Sequence, residues 1–371
     1  MPAAVTLFLC GDVMTGRGID QILPHPGAPQ LYEAYSQSAL DYVDLAERAS
    51  GPLERPVGFT YIWGDALAEL DRRTPDVRII NLETAVTCSD TAWPGKGVHY
   101  RMHPENVPCL TSARIDCCVL ANNHVLDWGR GGLHDTLHAL RGAGLHTAGA
   151  GATLDEAQAP AIIALPGGGR VLVYGYAMAS SGVPDEWAAT RPRPGVAFLS
   201  DLSPQRVDEI AQHVRDTSKA GDVVVFSIHW GGNWNYPVSP DERAFAHALI
   251  DHAGVHIVHG HSSHHVRGVE IYRSRPIVYG CGDFLNDYEG IRGYESYRPD
   301  LSLMYFPTMD SVSGALLAFS AVPMRMHHFR VERASAADGA AVSRILARES
   351  ARLGTRVDRQ TDGSVLLHVR D

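Results

Sequence analysis

A chain of 371 residues, 45% hydrophobic and 20% charged, has the balance of a globular protein and the length to bury a substantial core without staples. Its formal net charge of −10 argues against a general nucleic-acid binder, which needs a basic face. The cysteines at positions 10, 88, 109, 117, 118 and 281 form no CxxC pair, and no apolar run approaches the roughly 18 residues of a membrane span, so the sequence reads as a reduced, cytoplasmic protein with no membrane partner.

In chain order, the apolar start through Cys10 is short and lacks a basic region. It reads as a first strand at 5–10 leading into Gly11-Asp12, not as a signal peptide. A long irregular stretch at about 16–59 follows, broken by Pro24, Pro26, Pro29, Pro52 and Pro56. Helical spacing at 66–73 precedes an apolar run at 77–80 that ends in Asn81-Leu82-Glu83. A second long loop covers about 86–109. The run at 115–120 leads to Asn122-Asn123-His124, and its Cys117 and Cys118 should face opposite sides of a strand. Helical stretches at 132–143, 205–217 and 242–253 flank runs at 223–228, ending in His229, and at 256–258, ending in His259-Gly260-His261. The run at 276–279 ends in Gly280-Cys281-Gly282-Asp283. Strands at 301–306 and 314–331, the second with a turn near Val322-Pro323, come before a helix at 339–353 and a strand at 365–369.

Short Val- and Ile-rich runs fit strands buried on both faces, and their alternation with helices indicates an α/β or mixed layered sheet. With no internal repeat or low-complexity linker, residues 1–371 read as one domain whose two long loops are lids or binding loops.

Six strands that end in polar residues at one sheet edge would converge them on a single crevice. Asp12 and Glu83 offer carboxylates for a divalent metal, and Glu83 can bridge two; each alone also fits a turn or a surface. The Asn123 amide oxygen can ligate a metal while His124 faces substrate as acid or base, oriented by Asp127. His229 lies among glycines and tryptophans that suit a close approach of substrate. The segment His259-Gly260-His261-Ser262-Ser263-His264-His265 is the strongest signal, because four histidines in seven residues are hard to explain by packing and neutral imidazole is a common metal ligand. If the chain leaves its strand in a turn, His261 and His264 can face one centre. Asp283 can hold a ligand histidine or touch substrate, and Cys281 can move a proton or simply fill space. Arg17 and Arg101 can clamp a carboxylate or phosphate.

The ordered set Gly11-Asp12-Val13-Met14, Asn81-Leu82-Glu83-Thr84, Ala121-Asn122-Asn123-His124, His229-Trp230-Gly231, the cluster from Gly260 to His264, and Gly280 to Phe284 resembles CapA-type proteins, named for poly-γ-glutamate capsule synthesis. The resemblance implies the fold of calcineurin-like metallophosphoesterases: an α/β, four-layer α/β/β/α sandwich with two divalent metals at the sheet edge. It implies Asp12 on the first metal and Glu83 as the bridge. Asn123, His229 and His261 would bind the second metal, His264 would complete the first, and His124 would be the acid/base. Two departures stand out. The family pattern has histidine where this chain has Met14, and Gly-His-x-His where this chain has Gly260-His261-Ser262-Ser263-His264. Both fall on the first metal and weaken the expectation of plain phosphomonoester hydrolysis.

One soluble branch that the chain resembles epimerises the C-terminal residue of a lasso-peptide precursor. The leading expectation is thus a metal-dependent epimerase acting on a ribosomal peptide. His124 would be one base and His265, Asp283 or Cys281 the other, with manganese, iron, zinc or calcium bound and Trp230 and Trp234 packed on the peptide. The alternatives are a metal-dependent phosphoesterase or amide hydrolase, including a poly-γ-glutamate role, and a non-catalytic protein that binds an anionic polymer.

Overall fold

The computed structural model describes residues 4–369; Met1 to Ala3, the beginning of the apolar start, lie outside the described residues. Side chains alternate between the two faces of a strand. In Ala4–Val13, Phe8 and Cys10 enter one apolar layer while Leu7 and Leu9 enter another. Val77–Leu82 divides Ile80 and Leu82 from Val77 and Ile79 in the same way, and Cys118 and Cys117 take opposite faces of Cys117–Val119. Strands that are apolar at nearly every position must be covered on both sides.

Two sheets meet that demand. The first has ten strands. Its order is Thr355–Arg359, Val365–Val369, Leu316–His327, Leu301–Asp310, Ala4–Val13, Val77–Leu82, Cys117–Val119 and His146–Ala148. Asp283–Leu285 pairs with Ala4–Val13, and Arg330–Arg333 with Leu316–His327. The second sheet has six strands in the order Val269–Tyr272, Arg275–Val278, Ile257–His261, Val223–His229, Arg170–Ala177 and Ala161–Ala164. Leu7, Leu9, Ile79 and Val119 of the first sheet face Val171, Val173, Val225 and Ile257 of the second in one inner layer. Helices Leu40–Ser50, Ala66–Arg73 and Gly129–Gly142 cover the outer face of the first sheet through Val43, Leu70 and Leu137. Pro204–Thr217 and Pro240–His252 cover the second through Ile210 and Phe245. Three apolar layers between four layers of secondary structure make the expected α/β/β/α sandwich. Among the described residues, no helix is long and apolar enough to cross a membrane.

The strand ends differ from the sequence reading, because the polar endings do not share one sheet edge. Asp12, Glu83 and Asn123 belong to strands of the first sheet or the loops after them, and His229 and His261 end strands of the second. The crevice therefore lies where the sheets meet. There the chain crosses from Arg275–Val278 of the second sheet to Asp283–Leu285 of the first, and a Cβ on Gly11 would stand 1.5 Å from the carbonyl oxygen of Gly282 in that crossing. The amide of Asp12 donates to that same oxygen at 3.1 Å, and His259 Nε2 reaches across to the Cys10 carbonyl at 2.7 Å.

Three further expectations are corrected. The stretch read as irregular at 16–59 contains helices Gly18–Ile22 and Leu40–Ser50, and its prolines only bracket them. The loop at 86–109 is pinned by the pairing of Ala85–Val86 with Arg101–Met102. Leu316–His327 runs straight through Val322-Pro323, and the turn comes at His328 and Phe329, with φ of 53° and 54°. Pro323 is tolerated because it falls between two successive partners on one edge: Ser320 and Ala321 pair with Val365–Val369, and pairing with Arg330–Arg333 begins at Met324. The sequence reading passed over Arg170–Ala177, which is interior to the second sheet, because no polar motif ends it.

Gly11→Ala is expected to cost about 3 kcal/mol or more through overpacking at the sheet junction. Gly142→Ala, at a helix end with open space around it, should shift stability by less than about 1 kcal/mol. Chemical denaturation of the two variants checks the contrast.

Candidate metal centre and acid–base cleft

Parallel pairing sets Asp12 opposite both Asn81 and Asp283. Asn81 Nδ2 donates to Asp12 Oδ1 at 2.8 Å and to Glu83 Oε2 at 3.4 Å. Asn122 Nδ2 in turn donates to Asn81 Oδ1 at 3.0 Å and to the Leu82 carbonyl at 2.8 Å. Two neutral amides thus aim two carboxylates, both buried, at the crevice. Burial raises the pKa of each carboxyl; Asp283 pushes Asp12 further, and Asp12 pushes Glu83 further. Acids this close in a dry site are held by a bound cation or by a shared proton.

The second sheet brings the nitrogen donors. His229 and His261 are cross-strand partners, with Nδ1 facing Nδ1 at 2.8 Å. His261 Nδ1 is 3.6 Å from Asp12 Oδ1. One donor atom each from Asp12, His229 and His261 lies within 4.8 Å of the others, and among the described residues this trio is the one such group. Burial first, then neighbouring imidazoles, lowers both histidines well below the usual value, so both rings are neutral and ready to ligate. The other nitrogen of His229, Nε2, is 2.9 Å from Asn123 Oδ1 and 3.7 Å from Glu83 Oε1. A buried carboxylate next to two neutral imidazoles fits a divalent metal site. Glu83 and Asn123 flank the trio on the far side of His229.

His264 stands apart. Ser262 adopts φ of 101°, in the left-handed region, and this turn points its amide at Asp12 Oδ2 at 3.2 Å. The chain then carries His264 to Asp283, whose carboxylate oxygens lie 2.9 and 3.1 Å from Nδ1. His264 is therefore not gathered with the trio, in contrast to the first-metal role implied by resemblance. Met14, where that pattern has histidine, accepts a contact from the Tyr288 hydroxyl at 3.6 Å.

His124 is built in the same way as His264. Its Nδ1 lies 2.6 Å from Asp127 Oδ2, its Nε2 is 3.7 Å from Glu83 Oε1, and the Tyr100 ring packs edge-on at 4.5 Å. Lys96 Nζ holds the other Asp127 oxygen at 3.1 Å. Burial first, then Lys96 and Arg17, lowers His124 well below its usual value. Burial alone would also lower His264, yet the Asp283 carboxylate outweighs it and the pKa is raised. The histidines of the two His–Asp pairs line one cavity of about 480 Å³ together with Glu83, Asn123 and His229. A second cavity, of about 560 Å³, adjoins it through Val98, His264 and Tyr288. Its walls are aromatic, with Tyr35, Tyr42 and Trp234; the Trp234 ring stacks on Tyr294 at 3.9 Å.

Several sequence candidates lie elsewhere. Cys281 is fully buried in the layer between the sheets, away from the cavity that holds His124 and His264, and burial raises its thiol pKa well above the usual value. His265 is buried too; its Nε2 accepts the Asn235 amide at 3.1 Å, and burial lowers it to about 4. Trp230 lies flat against Tyr279 and donates to that residue's carbonyl at 3.1 Å, which makes it core and not a peptide platform. Arg17 fills its fork with Asp287, at 3.0 and 2.5 Å, and also binds Glu33 at 3.3 Å. Arg101 donates to the Ser89 and Ala28 carbonyls and covers the Trp128 ring. Both arginines fasten loops and leave no fork for substrate. Sequence reading missed Lys96 and the holding role of Asn81 and Asn122. Their signal was present, as one of two lysines in the chain and as asparagines inside quoted motifs, but what they hold is set by the fold.

Comparison with known proteins places the chain in a family. A family model described as bacterial capsule synthesis protein PGA_cap matches residues 6–288. A probable polyglutamine synthesis accessory protein of Mycobacterium tuberculosis is 49% identical over 97% of this chain and 95% of its own length. The capsule biosynthesis protein CapA of Bacillus anthracis is 27% identical over 76% of this chain and 60% of its own. A solved phosphatase of Mycoplasma pneumoniae aligns with a TM-score of 0.48 at 10% identity, over 88% of this chain and 95% of that one. The motifs from Asp12 to Asp283 all fall inside the matched span, and the chain belongs to the PGA_cap family of bacterial capsule synthesis proteins.

Proposed function

We propose that this chain is a metal-dependent enzyme that epimerises an α-carbon in an amide-linked chain. The observation that carries the reading is the pair of His–Asp dyads, His124–Asp127 and His264–Asp283, whose histidines follow strands of different sheets and line one cavity. Inverting a carbon centre needs a group that removes a proton and another that supplies one. The environments push the two histidines apart, His124 toward the neutral base and His264 toward the protonated acid. Each aspartate engages Nδ1, so Nε2 is the working atom of each ring. His124 takes the α-proton and His264 returns one. The reverse direction exchanges their roles.

In this reading Asp12, His229 and His261 hold a divalent ion, with Glu83 and Asn123 beside them. Mixed oxygen and nitrogen donors suit manganese, iron or zinc. A bound ion stabilises negative charge on a carbonyl or carboxylate oxygen next to the reacting carbon. The aromatic cavity beside His264 suits the carbon-rich part of the substrate chain. An amide-linked substrate is supported by the Mycobacterium tuberculosis relative, which is named for polyglutamine synthesis. Two forms of that substrate are to be compared: an oligo-γ-glutamate, and a ribosomal peptide precursor processed at its C-terminal residue.

Incubation of the purified protein and Mn²⁺ with either chain in D2O should place deuterium at one α-carbon without cleavage. Release of p-nitrophenol from a phosphate ester with no such exchange would refute the proposal in favour of hydrolysis. His124→Ala should lower the exchange rate by about 10²–10⁴-fold while leaving metal content intact by elemental analysis. With His124 as the base, activity is present above its lowered pKa and is lost as pH rises through the raised pKa of His264. Asp283→Asn removes the carboxylate that raises His264, so the alkaline limb of the rate profile should move to lower pH.

A further inference from the structure

Ser227 and His259 are fully buried, belong to neither dyad, and lie behind the metal trio. They are cross-strand partners one step inward from the His229–His261 pair. With a side-chain period of two, all four residues share the face that looks toward the first sheet. They form a chain of contacts that ends on a backbone carbonyl. His259 Nε2 is 2.7 Å from the Cys10 oxygen, His259 Nδ1 is 3.0 Å from Ser227 Oγ, and Ser227 Oγ is 2.9 Å from His261 Nε2.

Counted from the Cys10 carbonyl, one placement of hydrogens satisfies these three contacts. The Cys10 carbonyl can only accept, so His259 carries its hydrogen on Nε2. The His259 ring is buried with no carboxylate among its hydrogen-bond partners and is neutral, so its Nδ1 is an acceptor. It receives the single hydrogen of the Ser227 hydroxyl. Ser227 oxygen, its hydrogen spent, accepts from His261 Nε2. His261 therefore keeps a lone pair on Nδ1, and Nδ1 is the atom that faces Asp12 at 3.6 Å and His229 at 2.8 Å.

We infer that Ser227 and His259 are positioning residues that lock His261 in the tautomer with hydrogen on Nε2, so that Nδ1 is presented to the metal. The lock is anchored on the first sheet through Cys10, so docking of the two sheets and preparation of the ligand are one event. This rests on the metal reading above. It assigns the two residues a role that the ligand set does not include, since neither reaches the crevice. A histidine oriented through a second partner binds metal more tightly, and loss of such a partner weakens affinity about 10–100-fold.

The test combines two measurements on the full chain. In metal-free protein with 15N-labelled histidine, the imidazole nitrogen shifts report the tautomer of His261. In calorimetry, Mn²⁺ is titrated into wild type, Ser227→Ala and Ser227→Thr. The expected result is the Nε2–H tautomer in wild type, about 10–100-fold weaker Mn²⁺ binding in Ser227→Ala, and affinity kept in Ser227→Thr, which retains the hydroxyl. An Nδ1–H tautomer in wild type, or a folded Ser227→Ala with unchanged affinity, would overturn the inference. Wild type that shows the Nε2–H tautomer but binds no Mn²⁺ would instead overturn the metal reading and leave the lock itself in place. The tautomer measurement needs only wild type, so it decides the matter even where Ser227→Ala does not fold.

Discussion

The contact of Gly11 with Gly282 is the constraint on which the site depends. Two sheets, each covered by helices on its outer face, share an inner apolar layer, and the chain passes from the second to the first through Gly282. That passage leaves no room for a side chain beside it, since a Cβ on Gly11 would strike the Gly282 carbonyl. The Asp12 amide bonds to that carbonyl, and the next pairs in register set Asp12 beside Asp283. Closing the sandwich is thus the same act as placing the carboxylates of the first sheet against the histidines of the second.

That closure has an electrostatic consequence. Asp12, Glu83 and Asp283 are brought together out of water, and the groups that hold Asp12 and Glu83 from behind, Asn81 and Asn122, are neutral. The nearest imidazoles of the trio are neutral as well, because burial disfavours their charge. Positive charge enters at the periphery instead, on His264 through Asp283 and on Lys96 through Asp127. The centre is left suited to a cation from solution, and the rim to proton transfer. Arg17 plays its part outside this balance. Between Asp287 and Glu33, with its guanidinium over Tyr42 and Tyr100, it fastens the segment after the first strand to the wall of the aromatic cavity.

The sequence by itself determined the strands that end in the site and the chemistry at their ends. Runs such as 77–80 and 223–228 are apolar apart from Arg78 and Ser227, a pattern that fits a strand covered on both faces. Carboxylate, amide and imidazole at the ends of such runs already named Asp12, Glu83, Asn123, His229 and His261. Order along the chain could also reveal the family, because spacing between motifs is carried by the sequence alone.

Only the tertiary structure decided which of those residues meet, and what each neighbour is for. His261, His264 and His265 lie within five positions of one another. One joins Asp12 and His229, one pairs with Asp283, and one is buried beneath Tyr236 and Tyr297. The left-handed turn at Ser262 separates them, and nothing local in a serine announces that turn. The clamp expected of Arg17 and Arg101 and the platform expected of Trp230 failed for a related reason. A guanidinium or an indole is equally fit for substrate or for core, and the choice depends on acceptors such as Asp287 and the Tyr279 carbonyl, which lie hundreds or tens of residues away. The carboxyls of Asp12 and Glu83, ordinary in sequence, became perturbed only when two sheets excluded water from between them. Burial and partnership across sheets are properties of the fold, and a linear pattern does not contain them.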